Sequence, residues 1–132
     1  MKLTFTIYGA PRTKKTSNRL VRCGRFHKIL PSKAFEVWNA MAQIYIAKLR
    51  GQSSEIQNWN RFGYQHDQVN CAAVFYRDAE RGDLVGYQQA LADALEEAGI
   101  VENDKLIVSW DGSRLAKDRH DPRIEVTLEV AA

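Results

Sequence analysis

Gly82-Asp83-Leu84-Val85-Gly86-Tyr87-Gln88-Gln89-Ala90-Leu91-Ala92-Asp93-Ala94-Leu95-Glu96-Glu97-Ala98-Gly99-Ile100-Val101-Glu102-Asn103-Asp104 decides the fold. Leu84, Tyr87, Leu91, Ala94 or Leu95, and Ala98 recur at steps of three and four, which predicts an amphipathic helix from Asp83 to Ala98. Asp83 is of the type that caps helix N-termini, and Gly99 suits the left-handed residue that ends a helix. The segments on either side alternate. Val69, Cys71, Ala73 and Phe75 interleave with Asn70, Ala72, Val74 and Tyr76 to predict a strand over Val69–Arg77, and a second strand is expected over Lys105–Trp110. The centre of the chain therefore reads strand, helix, strand.

Working outward, Leu3, Phe5 and Ile7 alternate with Lys2, Thr4 and Thr6, and Ile124, Val126, Leu128 and Val130 with Glu125, Thr127 and Glu129. Both are half-buried strands. Ser32, next to Pro31, opens a helix that places Phe35, Trp38, Met41, Ala42, Tyr45, Ile46 and Leu49 on one stripe and stops at Gly51. Trp38 and Tyr45 read as core residues. From Gln52 to Gln68 the chain is polar and is expected to be a surface excursion or a longer hairpin. Leu20-Val21 and Phe26 can pair about Cys23-Gly24 within a segment otherwise expected to be a loop, mobile or ordered by a bound partner. The expected fold class is α+β, with two main helices packed on a mixed β-sheet in two layers.

At 132 residues the chain suits one domain, 1–132, with one core and one site per subunit. No apolar run reaches the roughly 20 residues of a membrane helix, and the N-terminal stretch alternates rather than forming a signal-peptide block. A cytoplasmic location, with no membrane partner, is expected. Cys23 and Cys71 are far apart and have no metal-ligand spacing, so two reduced thiols are expected. His27, His66 and His120 show no ligand or dyad spacing.

Net charge is +3, but its distribution is uneven. The basic loop, residues 11–33, holds eight Lys or Arg and no acid, whereas residues 34–132 hold ten bases and all sixteen acids. A cationic arm on an acidic body suits a polyanion at one and cations at the other.

Gly82–Asp104, together with Pro11-Arg12-Thr13-Lys14-Lys15-Thr16-Ser17-Asn18-Arg19 and Ile29-Leu30-Pro31-Ser32-Lys33, resembles the RusA-type Holliday-junction resolvases. The order of the pieces carries the resemblance. It implies a RusA-like endonuclease domain, Mg2+ held by carboxylates, and a four-way DNA junction as substrate in recombination or repair. Where the family usually reads Asp-Leu-Asp-Asn, this chain reads Asp83-Leu84-Val85-Gly86. Gln89 stands where the family often has Lys, and Asn103-Asp104 stands for a doubled Asp. One carboxylate of the usual trio is missing at Val85.

The resemblance makes Asp83 and Asp104 the catalytic and metal-binding carboxylates, and Asp111 a candidate replacement for the missing one. Mg2+ prefers oxygen ligands and keeps several waters, so its sites can be sparse in sequence. Asp93 lies ten residues beyond Asp83, about 15 Å by helical rise, and is assigned to supporting the loop around Asp104 or to a dimer interface. DNA contacts are expected from Arg12, Lys14, Lys15, Arg19, Arg22, Arg25 and Lys28. About 16 helical residues would separate Asp83 from Asp104 by about 24 Å, and five connecting residues retrace at most about 17 Å. A metal shared within one chain is therefore hard to build. A homodimer with antiparallel helices would make two composite sites. The rival expectation is a junction-binding protein of the same fold that has lost cleavage. An RNA-binding module is a weaker one, since no RNP aromatics, KH loop or zinc knuckle is present.

Overall fold

A computed structural model describes residues 1–14, 19–30 and 32–131, with the backbone alone over 19–23 and 26–30. Strands β1 (Lys2–Tyr8), β2 (Arg19–Cys23) and β3 (Phe26–Leu30) are followed by helices α1 (Lys33–Gln52) and α2 (Ser54–Arg61). Then come β4 (Val69–Arg77), α3 (Leu84–Glu97), β5 (Ile107–Ser109), β6 (Arg114–Lys117) and β7 (Arg123–Val130). The main sheet runs β1-β7-β4-β5, with β6 also on β4. β1, β7 and β4 are antiparallel neighbours, whereas β5 and β6 lie parallel to β4. The mixed α+β architecture is as expected.

Period-two alternation builds the sheet. Leu3, Phe5 and Ile7, Val69, Cys71, Ala73 and Phe75, and Ile124, Val126 and Leu128 all face one buried cluster with α1, α2 and α3. Their neighbours Thr4, Thr127 and Ala72 share one register row on the opposite, open face. Phe75 stacks on Tyr87 with centroids 5.5 Å apart, which locks α3 against β4.

Among the described residues, three helices rather than two cover the sheet. The polar stretch expected to be a surface excursion or hairpin instead contains α2, because Ile56 and Trp59, three residues apart, share a buried face. Trp59 Nε1 donates to the Ile100 carbonyl at 2.9 Å, so its polar edge is satisfied inside the core. The strand expected over 105–110 is shorter. Asp104–Leu106 form a 3₁₀ turn before β5 begins. β6 is an addition to the expected strands; it continues the same edge of β4 after the excursion at 110–113, which Ser113 Oγ ties to Ala73 N and Cys71 O.

On α1, Ser32 caps as expected, its Oγ accepting from Phe35 N at 3.1 Å. Trp38 is core, but Met41, expected on the buried stripe, is 59% exposed. With Val37 and Ile44, also exposed, it forms an outward apolar row at helical spacing. The segment around Gly24 is a β2–β3 hairpin as expected, but its register differs: Phe26 pairs with Cys23, and Leu20 and Val21 pair with Ile29 and Lys28; Gly24 has φ +60. Lys15 and Pro31 lie outside the described residues.

Candidate functional site

Asp83 is the N-cap of α3. Its Oδ1 accepts from Gly86 N at 2.8 Å, and its backbone is extended. The carboxylate is exposed and has a second oxygen for a ligand. Gly86 is required by this arrangement: a Cβ there would sit 2.7 Å from Asp83 Oδ1 and 3.1 Å from Thr13 Cγ2. Gly82, at φ +74, likewise leaves room for Thr13 and the Tyr87 ring. Thr13 is buried against these two glycines, so the start of the basic arm is packed onto the mouth of α3. Ser32 Oγ reinforces the seat by donating to the Thr13 carbonyl at 3.2 Å.

Asp104 lies at the other end of the helix. Its amide donates to Glu96 Oε1 at 2.9 Å, and Lys105 N donates to Asn103 Oδ1 at 2.9 Å. These two bonds fix an exposed acidic turn. Helix α3 spans 14 residues, about 21 Å. Strand register agrees with that separation. Ile107, just after Asp104, pairs with Val69 at the start of β4, whereas Asp83 follows the end of β4. Asp83 and Asp104 are thus held at opposite ends of a strand-helix-strand unit.

Asp111 joins neither. It sits on the loop after β5, where Asn70 clamps it: Asp111 N donates to Asn70 Oδ1 at 2.8 Å and Asn70 Nδ2 donates to the Asp111 carbonyl at 3.1 Å. It borders the open sheet face with Lys2 and Glu129. Among the described residues no group of three or more His, Cys, Asp or Glu side chains is close enough to hold a metal. His66 pairs with Glu102 at 2.8 Å on the surface, and His120 is exposed.

The Asp104 loop is held by Glu96 rather than by Asp93. Asp93 instead receives Lys14 Nζ at 2.6 Å. Lys14 also lies 5.3 Å from the Phe35 ring centroid, so its stem runs between α1 and α3. Arg12 is half-buried and Arg25 is exposed at the hairpin turn. The side chains of Arg19, Arg22 and Lys28 lie outside the described residues.

Sequence reasoning missed Arg77 and Arg81. Both stand next to the mouth of α3, where Arg77 Nη1 donates to the Gly82 carbonyl at 3.4 Å and Arg81 Nη2 pairs with Asp78 at 2.6 Å. The signal was the basic pair bracketing Asp78-Ala79-Glu80 just ahead of Asp83, which reads in sequence as an ordinary exit turn.

What fold and site define is an α+β domain with a cationic arm seated beside an exposed, helix-capping carboxylate. No known family model matches the chain, and no curated protein is significantly similar to it. Among the described residues, no helix is long and apolar enough to cross a membrane.

Proposed function

We propose that this chain is a RusA-like, Mg2+-dependent endonuclease that resolves four-way DNA junctions as a homodimer. One observation carries the reading: Thr13 anchors the acid-free arm on Gly82 and Gly86, directly beside the capping carboxylate of Asp83. Phosphodiester hydrolysis needs cations to gather the strand and an acidic group to hold the metal that activates water, and Thr13 brings the start of the arm next to that acidic group. Asp104, at the far end of α3, acts with Asp83 of a second copy. The exposed apolar row Val37, Met41 and Ile44 supports association of copies, since such a row is seldom left open to water.

The competing reading is junction binding without cleavage. It is favoured by Val85, which is 68% exposed two residues from Asp83, where a carboxylate would face solvent. A synthetic four-way junction, incubated with and without Mg2+ and run on native and denaturing gels, separates the two. Symmetric nicks that require Mg2+, and that vanish in Asp83→Asn with binding retained, support resolution. A shifted junction that is never cut supports the rival, and no binding at all removes both.

A further inference from the structure

Three concave regions differ in chemistry. The groove along Val37, Trp38 and Met41 is apolar, and the shallow face around Asn70 and Glu129 is mixed. The third is a cavity of about 240 Å³ between the arm and α3, walled by Arg12, Thr13, Ser32, Arg81 and Tyr87. That is several times the share of one water, about 30 Å³.

Its walls are cationic and under-satisfied. Among the described residues, half-buried Arg12 makes no hydrogen bond or ion pair. Arg81 pairs one Nη with Asp78, yet its Nε, and that of Arg77, are buried without a partner among the described residues. Arg77, Arg81 and Arg12 all act electrostatically on the Tyr87 hydroxyl, which donates to the Arg81 carbonyl. Arg12 and Arg81 line the cavity together with Tyr87, and among the described residues Asp78 is the only carboxylate paired to either of them. Lining guanidiniums that carry so little carboxylate favour a multi-oxygen anion, which accepts several of their N–H bonds at once. Guanidinium forks suit phosphate in particular.

We infer that this cavity is a phosphate pocket in which Arg12 and Arg81 hold one backbone phosphodiester of a nucleic-acid strand beside Asp83. The choice of a strand phosphodiester rests on the nuclease reading; the anion chemistry stands on the cavity. The pocket fixes where the strand passes relative to the carboxylate, and it uses residues outside the arm, Arg81 and Tyr87, to do so.

The test uses the full chain without metal, a labelled hexathymidylate and inorganic phosphate as probes, and Arg12→Gln, with Lys48→Gln near the far end of α1 as control. Arg12→Gln is expected to weaken oligonucleotide binding about tenfold and to lower the slope of log K against log salt by about 0.7. Lys48→Gln should change affinity less than about twofold, and inorganic phosphate should raise the melting temperature of the wild type but not of Arg12→Gln. If Arg12→Gln does not fold, Arg12→Lys replaces it, with the salt slope kept and affinity still reduced because the fork is lost. Oligonucleotide binding unchanged by the substitution, or absent in the wild type, overturns the proposal. So does loss of phosphate protection alone, which would make this a free-anion pocket. Cleavage is read separately: a chain that binds through Arg12 yet never cuts a junction sinks the nuclease reading and leaves the pocket, whereas cutting with Arg12→Gln binding like wild type does the reverse.

Discussion

Lys14 Nζ meets Asp93 Oδ2 at 2.6 Å, so the arm is tethered to the middle of α3 by a pair whose side chains are 38% and 27% exposed. The ammonium expected to meet phosphate is already held by a carboxylate. A strand approaching the arm must compete with Asp93, and Asp93→Asn removes the competitor. We expect Asp93→Asn to tighten DNA binding and steepen the salt slope by up to about 0.9. The loss in stability should be no more than about 1 kcal/mol, because the pair is partly solvated. Lys14→Ala should lose the same stability and flatten the slope. An unchanged slope in both variants would show that Lys14 does not contact phosphate.

The separation of Asp83 from Asp104 leads to a complementation experiment. If each site combines Asp83 of one copy with Asp104 of another, Asp83→Asn and Asp104→Asn are each inactive alone. Mixed after subunit exchange, they form heterodimers with one intact site and one site lacking both carboxylates. Nicking of a junction on a single strand should return, without paired resolution. Mixed variants that stay inert although they exchange subunits would show that the carboxylates do not act across copies.

Gly86 and Gly51 are both helical glycines, yet the structure assigns alanine opposite effects at them. At Gly51 nothing lies within 4 Å of an added Cβ, so Gly51→Ala should stabilise by about 0.5–1 kcal/mol through chain entropy alone. At Gly86 the Cβ meets Asp83 Oδ1 at 2.7 Å and buried Thr13 at 3.1 Å. Losing the cap costs about 0.5–2 kcal/mol and displacing Thr13 adds to it, which outweighs the helix preference of alanine. Thermal melts of the two variants should move in opposite directions.

Burial pushes the Cys71 thiol up to about 12. An unfolded thiol ionises near about 8.5, so above that pH the unfolded chain binds fewer protons than the folded one, and stability falls as pH rises. The loss attributable to Cys71 is up to about 1.4 kcal/mol per pH unit between the unfolded and folded values. Cys71→Ala should flatten this alkaline limb in denaturation curves from about pH 8 to 11. In a Cys23→Ser background, the thiol should react with a disulfide reagent only as the chain unfolds.

Much of the fold was legible because periodicity reports burial directly. β1, β4, β7, α1 and α3 each show it, and the Ser32 and Asp83 caps and the Gly99 terminus at φ +73 follow from residue chemistry. α2 was hidden because eight mostly polar residues carry only Ile56 and Trp59 inward, too few to outweigh composition. Met41 misled because a stripe of seven apolar residues is wider than the face α1 buries. At the candidate site, the separation of the two aspartates could be argued from helix length. The Lys14–Asp93 pair, the seat of Thr13 and the arginines around Tyr87 depend on contacts between distant segments, which no local pattern encodes.

Val85 gives a direct test between the two proposed readings, resolution and binding alone, and its surroundings determine how to use it. Lying in the first turn of α3 and 68% exposed, it contributes nothing to the core. A carboxylate there meets water and the positive end of the helix, so Val85→Asp should leave stability unchanged or raise it by about 0.3–1 kcal/mol. Destabilisation by a buried, unpaired charge is not expected. The variant therefore tests chemistry without a folding penalty. If Asp83 takes part in holding Mg2+, a second carboxylate two residues on should lower the Mg2+ concentration needed for cleavage and raise the rate. Melting temperature and junction cleavage across a Mg2+ titration give both readouts. A variant as stable as wild type with no gain in cleavage, beside a wild type that binds junctions without cutting them, would assign this chain to binding alone.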